Sequence, residues 1–283
     1  STRKESSAAS DVYKRQQQID VAIIDDGPMY QAIALGFCEP IKGLPADDIY
    51  GTARYKDDKA VAIGIVATGI MYNKKVFDEK KWAPPTSWKD LKDPKYKKQL
   101  VVPPLNNTYG LHALVEYARE GGGSEKKIDA GFTTFKNEVG PNVLVYEPSP
   151  GKMTELFSSG QAVISVWGSG RAKSFADTGF PVGFVYPQEG AYALLSSVCP
   201  VAKSATNPLA QAFVQYLVTP EVQEKLASAY GYGPVNKKAK VEDDPRVPLP
   251  IGKRAADLIV IDWDTVNQNR DDWNKRWTRE IER

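Results

Sequence analysis

Residues Lys59–Tyr72 read KAVAIGIVATGIMY. The run is apolar, rich in β-branched residues and broken only by Gly64 and Gly69, which predicts an extended segment. It is longer than an ordinary strand of about five to six residues. A strand of that length can leave one sheet unit and enter a second, with a glycine easing the bend. A matching segment, Ala191–Val201 (AYALLSSVCPV), lies far downstream. Two crossings predict two lobes, the second inserted into the first.

Outward from this crossing the chain alternates strand and helix, the pattern of an α/β protein. Ile19–Ile24 (IDVAII) suits a buried parallel strand and stops at Asp25-Asp26-Gly27-Pro28; a helix over Met29–Leu35 follows, ended by Gly36. Trp88 and Leu91 fall on a short helix that Thr86 or Ser87 can cap. A strand over Gln99–Val102 and the loop Pro103–Asn107 lead to a helix over Tyr109–Glu120, with Thr108 as its expected N-cap and three glycines at its end. Beyond it come helices near 128–137 and 151–159, a strand at Val143–Tyr146, a strand Gln161–Trp167 ending in Gly168-Ser169-Gly170-Arg171, a helix over 172–178 and a strand at Val182–Tyr186. Two further helices open at Asn207-Pro208 and Thr219-Pro220, where proline suits the first turn. Tyr230-Gly231-Tyr232-Gly233-Pro234 is a turn-rich stop.

Composition narrows the function classes. The 283 residues are 42% hydrophobic and 25% charged, a globular profile. No run approaches the ~20 apolar residues of a membrane span. The formal charge of +2 lies wholly in the first sixteen residues, where Arg3, Lys4, Lys14 and Arg15 face Glu5 and Asp11. The balanced remainder offers no basic footprint for nucleic acid. One histidine, His112, cannot hold a metal alone and fits a structural place in a helix; no cofactor and no metal are expected. Cys38 and Cys199 can form one bridge or stay as two buried thiols, and the second reading is preferred.

Residues 6–16, SSAASDVYKRQ, have no helical or strand period. They resemble the in-frame translation of a transposon-type sequencing adapter. Residues 1–16 are therefore read as a non-native leader and left out of the fold argument.

Several stretches together carry a family likeness: DVAIIDDGPMYQAIALGFCEPI (20–41), AIGIVATGIMYNKKVF (62–77), TSWKDLKDPKYKKQLVVP (86–103), GQAVISVWGSGRAKSF (160–175), the run from Phe184 to Asn236, and IDWDTVNQNRDDWNKRWTREI (261–281). In this order they resemble extracellular solute-binding proteins of ABC importers, in the spermidine/putrescine-like group. The resemblance implies a type II periplasmic-binding fold: two α/β lobes joined by two extended hinge strands. It assigns 17–68 and 196–283 to lobe one and 69–195 to lobe two. It also implies that the first strand-helix-strand of lobe one is missing, so that sheet edges are exposed and the polypeptide alone is poorly soluble. A periplasmic or extracellular monomer, a small organic solute and membrane-embedded permease subunits complete what the likeness implies; no enzyme activity is expected.

In open α/β sheets ligands bind beyond the carboxyl ends of strands. The candidate contacts are Asp25, Asp26 and Gly27 after the first strand; Asn107, Thr108 and Tyr109; Trp167, Ser169 and Arg171; and Tyr192 and Ser196 near the second crossing. Each has a plainer alternative: the two aspartates as helix caps, the aromatic residues as packing, Arg171 as a surface residue. Polyamine binders need several carboxylates, and Tyr192–Ser197 contains none. Arg171 offers a fork that suits a carboxylate. An acid and an arginine suit a solute carrying both ammonium and carboxylate, such as an ω-amino acid. A polyamine is the alternative, and a ferric ion a weaker one, because no adjacent tyrosine pair exists.

Overall fold

The computed structural model describes residues 19–204 and 207–282. The leader assigned to residues 1–16 lies outside the described residues. Among these, seven strands form one open mixed sheet in the order β1-β7-β2-β5-β3-β4, with β6 also paired to β2. The strands are β1 (Val21–Asp25), β2 (Val61–Asn73), β3 (Leu100–Val102), β4 (Val143–Tyr146), β5 (Ile164–Gly168), β6 (Val182–Val185) and β7 (Tyr192–Pro200).

The Lys59–Tyr72 stretch becomes β2, buried along its whole length. It changes partners partway. Val61–Thr68 pairs antiparallel with β7, whereas Thr68–Tyr72 pairs with β5 and Ile70–Asn73 with β6. Thr68 is register partner to Tyr192 at the handover. Strand β7 likewise pairs with β2 from Tyr192 and takes up β1 from Ser196 to Pro200. A register shift between Ala62 and Gly64 accommodates the twist of so long a strand.

The structure differs from expectation at β1. A buried parallel strand is expected there, yet β1 runs antiparallel to β7 at the end of the sheet order, with Ile23 49% exposed. Leu209, Phe213 and Tyr216 are exposed on α7 (Asn207–Leu217).

The helices that frame and brace the sheet are α1 (Asp26–Ala34), α3 (Thr108–Glu120), α4 (Asp129–Thr134), α6 (Ser169–Asp177), α8 (Pro220–Tyr230) and α10 (Trp263–Glu280); α2 (Lys74–Lys80), α5 (Pro150–Ser158) and α9 (Lys253–Ala256) complete the set. Helix α3 is capped by Asn107, whose side chain accepts from the Tyr109 N–H; the expected cap Thr108 is instead the first helical residue. Helix α10 braces both halves of the sheet. Near its start Asn267 donates to the Gly27 carbonyl (3.0 Å), and Trp263 lies against the Gly27 Cα. Near its end Trp277 packs edge-on against Phe135 (4.8 Å) and Tyr146 (5.4 Å), and Arg276 pairs with Asp129. Trp263, Trp273 and Trp277 are all buried, which bears out the packing expected from their helical spacing.

Cys38 and Cys199 form a disulfide, with Cα atoms 5.7 Å apart. This overturns the preferred sequence reading of two free thiols. Pairing follows from a ladder that the sequence does not reveal: Glu39 N–H donates to the Pro200 carbonyl, and Cys38 bridges to Val201, which sets the loop after α1 beside the end of β7.

Candidate functional site

A cleft of about 310 Å³ opens between the two halves of the sheet. Asp25 at the end of β1 lines it, with Val66 of β2 and Leu194 of β7 beneath. Asn107, Thr108 and Tyr109 contribute the start of α3; Gly170, Arg171 and Ser174 contribute the start of α6; Tyr230 and Tyr232 complete it. A larger groove of about 790 Å³ lies between β4 and the end of α10. Neither Asp25, Thr108 nor Arg171 lines that groove.

The Tyr109 ring lies on the backbone of Gly168. A Cβ there would stand 2.1 Å from the Tyr109 hydroxyl oxygen, so only glycine leaves room. Trp167 packs behind it, ring centroids 5.4 Å apart. The Arg171 guanidinium lies over both rings, 5.9 Å from Tyr109 and 5.4 Å from Trp167. Burial pushes the Tyr109 phenol up to about 12, against the opposing charge of Arg171. Desolvation raises the Asp25 carboxyl above its usual range, and Arg171 again opposes the shift.

Of the eleven residues expected to contact ligand, Asp25, Asn107, Thr108, Tyr109 and Arg171 share this cleft. The others stand behind or beside it. Trp167 is buried beneath Tyr109. Ser169 is buried, and its hydroxyl accepts from the Ala67 N–H (3.0 Å), joining α6 to β2. Gly27 faces Trp263, whose ring leaves no space for a Cβ. Ser196 is half-buried in the ladder opposite Asp25 and Gly64. Tyr192 is buried under α3, where its ring stacks on His112 (5.2 Å) and its hydroxyl donates to Glu116 (2.6 Å). His112, also buried, shares a 2.8 Å hydrogen bond with the Thr68 hydroxyl. Desolvation holds its ring neutral, with the pKa down to about 3.

Asp26 is fully buried although its neighbour Asp25 is exposed. It accepts from the Leu195 N–H (3.3 Å), and the Trp263 N–H lies close by without reaching hydrogen-bond geometry. Desolvation first, and the charge of Asp25 second, push its pKa up to about 7. The folded state therefore holds this proton far more tightly than the unfolded chain, where release occurs near 3.9. The resulting stability is complete below about pH 4 and is lost as pH rises to about 7. Over that window the wild type is expected to lose up to about 4 kcal/mol relative to Asp26→Asn. Urea unfolding of both proteins across that range checks this; a stability difference independent of pH contradicts a buried neutral carboxyl.

Sequence reading missed Tyr230 and Tyr232. They lie far from either crossing, and their only signal is a pair of aromatic residues spaced by Gly231 and Gly233.

A family model described as bacterial extracellular solute-binding protein matches residues 5–248. The spermidine/putrescine-binding periplasmic protein of Escherichia coli (strain K12) is 26% identical over 182 residues, which are 64% of this chain and 51% of that protein. The chain thus spans about half the length of the curated relatives it matches. Among solved structures, an ABC transporter protein from Clostridium perfringens superposes with a TM-score of 0.83 at 24% identity, covering 94% of this chain and 85% of that one. A GABA receptor, Atu4243, gives 0.74 at 19% identity, covering 97% and 84%. These two are likenesses of fold.

Proposed function

We propose, from the premise that this chain belongs to the bacterial extracellular solute-binding protein family, that it captures a small organic solute for an ABC importer. The family consists of solute-binding proteins. Capture occurs between two lobes, 17–68 with 196–283 and 69–195, that close by bending at β2 and β7. These boundaries lie close to Thr68, where the β2 ladder with β7 ends and that with β5 begins, and to Ser196, where β1 joins the other edge of β7. The partner is a membrane-embedded permease, and the binder is a monomer. The Cys38–Cys199 bridge supports work outside the cytoplasm, where disulfides persist.

The solute carries an ammonium group and a carboxylate. The observation behind this is that Asp25 and Arg171, from the two halves of the sheet, line one cleft. Asp25 is the only carboxylate among its lining residues, too few for the two or more ammonium groups of a polyamine. Val66 and Leu194 give the middle of the solute an apolar floor, which suits a chain of methylenes. Isothermal titration calorimetry with 4-aminobutanoate and with putrescine tests the reading. Tighter binding of 4-aminobutanoate is expected. Preference for putrescine supports the polyamine reading that the curated relatives suggest, and silence with both ends both readings.

One observation favours the ferric reading more than the sequence did: Tyr109, Tyr230 and Tyr232 share the cleft although no two are adjacent. Phenolate ligation needs ionised tyrosines, and the desolvated Tyr109 resists this. Addition of a ferric salt is expected to produce no tyrosinate-to-iron absorption band.

A further inference from the structure

In the lobes proposed above, the chain between α8 and α9, residues 231–252, leaves lobe one and returns to it. At its start Asn236 bridges to Ile49, and the Lys237 N–H donates to the Asp48 carbonyl (2.7 Å). At its end the Gly252 N–H donates to the Tyr50 hydroxyl (2.9 Å), and the Ala255 carbonyl just beyond accepts from the Thr52 hydroxyl (3.2 Å). Its middle reaches lobe two instead. The Tyr186 hydroxyl donates to the Pro248 carbonyl (2.7 Å), and Arg246 meets the last turn of α6, donating to the Ala176 carbonyl (2.9 Å) and to Asp177 (2.6 Å). This reach is held stiffly. Asp243 accepts from the Asp244 and Leu249 N–H groups and pairs with Arg254. Asp244 accepts from Arg246 Nε and Nη2 (3.0 and 2.6 Å), a fork that aims the guanidinium at α6. Lys173 of α6 closes the ring, pairing with Asp177 (2.8 Å) and with Asp244 (3.5 Å). Arg246 holds the Asp244 carboxyl well below the usual carboxylate range, so the ring stays charged in mild acid.

Resting on the two-lobed reading given above, we propose that Arg246 is a positioning residue for solute capture: it clasps α6 of lobe two to lobe one in the arrangement that sets Arg171 opposite Asp25. Arg171 lies on the same helix, roughly 9 Å from Asp177 along its axis. Phe175 packs on Phe180 (4.6 Å) and Phe157 (6.2 Å), which ties α6 to the rest of lobe two, so the clasp acts on the lobe and not on the helix alone. Arg246 itself does not line the cleft. Its effect on affinity therefore runs through the population of the binding-competent arrangement, which scales the apparent dissociation constant. Arg246 and Asp177 are 45% and 48% exposed, so one such pair alone would count for little. The fork on Asp244, 11% exposed, and the Ala176 carbonyl make it a network, the case in which surface charges do hold. Rocking that withdraws α6 breaks both bonds that Arg246 makes across the gap.

The test measures 4-aminobutanoate affinity by calorimetry and, without solute, the radius of gyration by small-angle X-ray scattering. Arg246→Gln is expected to weaken binding about fivefold, the upper range for an exposed ion-pair contact. Asp177→Asn is expected to act in the same direction, and the two together to weaken binding no further than Arg246→Gln alone. Arg246→Lys keeps the charge without the fork and should fall between wild type and Arg246→Gln. Unliganded Arg246→Gln should show a larger radius of gyration than unliganded wild type, and the two should match at saturating solute. A purely structural role would not produce a difference that solute removes. Melting temperatures identify a variant that merely fails to fold, and Asp177→Asn, at an exposed side chain, then carries the same two measurements. Unchanged affinity, unchanged scattering of the unliganded protein, or additive losses in the double variant each overturn the clasp while leaving the ligand reading standing. If the wild type binds neither 4-aminobutanoate nor putrescine, the ligand reading falls, and the scattering of the unliganded proteins alone decides the clasp.

Discussion

Replacing Cys199 by serine is expected to lower the free energy of unfolding by about 2–5 kcal/mol, the range for loss of a native disulfide. The bridge closes a loop with a sequence separation of 161 residues. In the chain-entropy picture a loop so long restricts the unfolded chain strongly, by about 5 kcal/mol as an upper figure. The folded side adds to the loss. Both cysteines are buried, and Cys38 packs on Met29, so a serine hydroxyl would meet an apolar surround. The bridge sits at the Pro200 end of β7, whereas Asp25 and the cleft lie beside Ser196 at the other end of the β1 ladder. Affinity per folded molecule should therefore stay unchanged while stability falls. Urea denaturation of the wild type with and without a thiol reductant gives the same comparison without mutation. Coincident curves in both conditions would mean that the two sulfurs are not joined in solution.

Arg171→Ala is expected to weaken binding of a carboxylate solute by about a hundredfold, the scale of removing one partner from a buried charge pair. Arg171 is exposed where it lines the cleft and has no ion pair among the described residues. Its guanidinium rests on the faces of Tyr109 and Trp167, which fixes its direction within the cleft. Removal should change the melting temperature little, since Arg171 is exposed and its charge only partly offsets the desolvation of Asp25 and Tyr109. Arg171→Lys should recover part of the affinity, because lysine keeps the charge but loses the planar fork. Calorimetry with 4-aminobutanoate reads all three proteins. Unaltered affinity in Arg171→Ala would remove the carboxylate from the proposed ligand, though not the solute-binding role.

The crossing strand was legible because its length and apolar continuity had no simpler explanation, and β2 does change partners at Thr68. The strand-end rule brought Asp25, Asn107, Thr108, Tyr109 and Arg171 to the same cleft. It could not tell the wall from what stands behind it. Asp25 and Asp26 are adjacent in sequence, but only the first faces the cleft; the second turns with the start of α1 to accept from Leu195. Tyr192 looked available beside the crossing, yet α3 covers it and His112 stacks upon it. The two tyrosines after α8 were illegible for a different reason. Their place depends on Gly233 pairing with Ile65 across a long stretch of chain, a contact without local signal. The same holds for the cysteines, whose pairing waits on the β1–β7 ladder.

The brace formed by α10 has an optical consequence. One rigid rod of 18 residues carries Trp263 beside His112 and Asp26 at one end and Trp277 against Phe135 and Tyr146 at the other. Any rocking of one half of the sheet against the other must slide one of these indoles over its neighbours. The molecule thus carries a built-in gauge: a change in tryptophan emission on adding solute, abolished at one end by Trp277→Phe or at the other by Trp263→Phe, would report which half the rod follows.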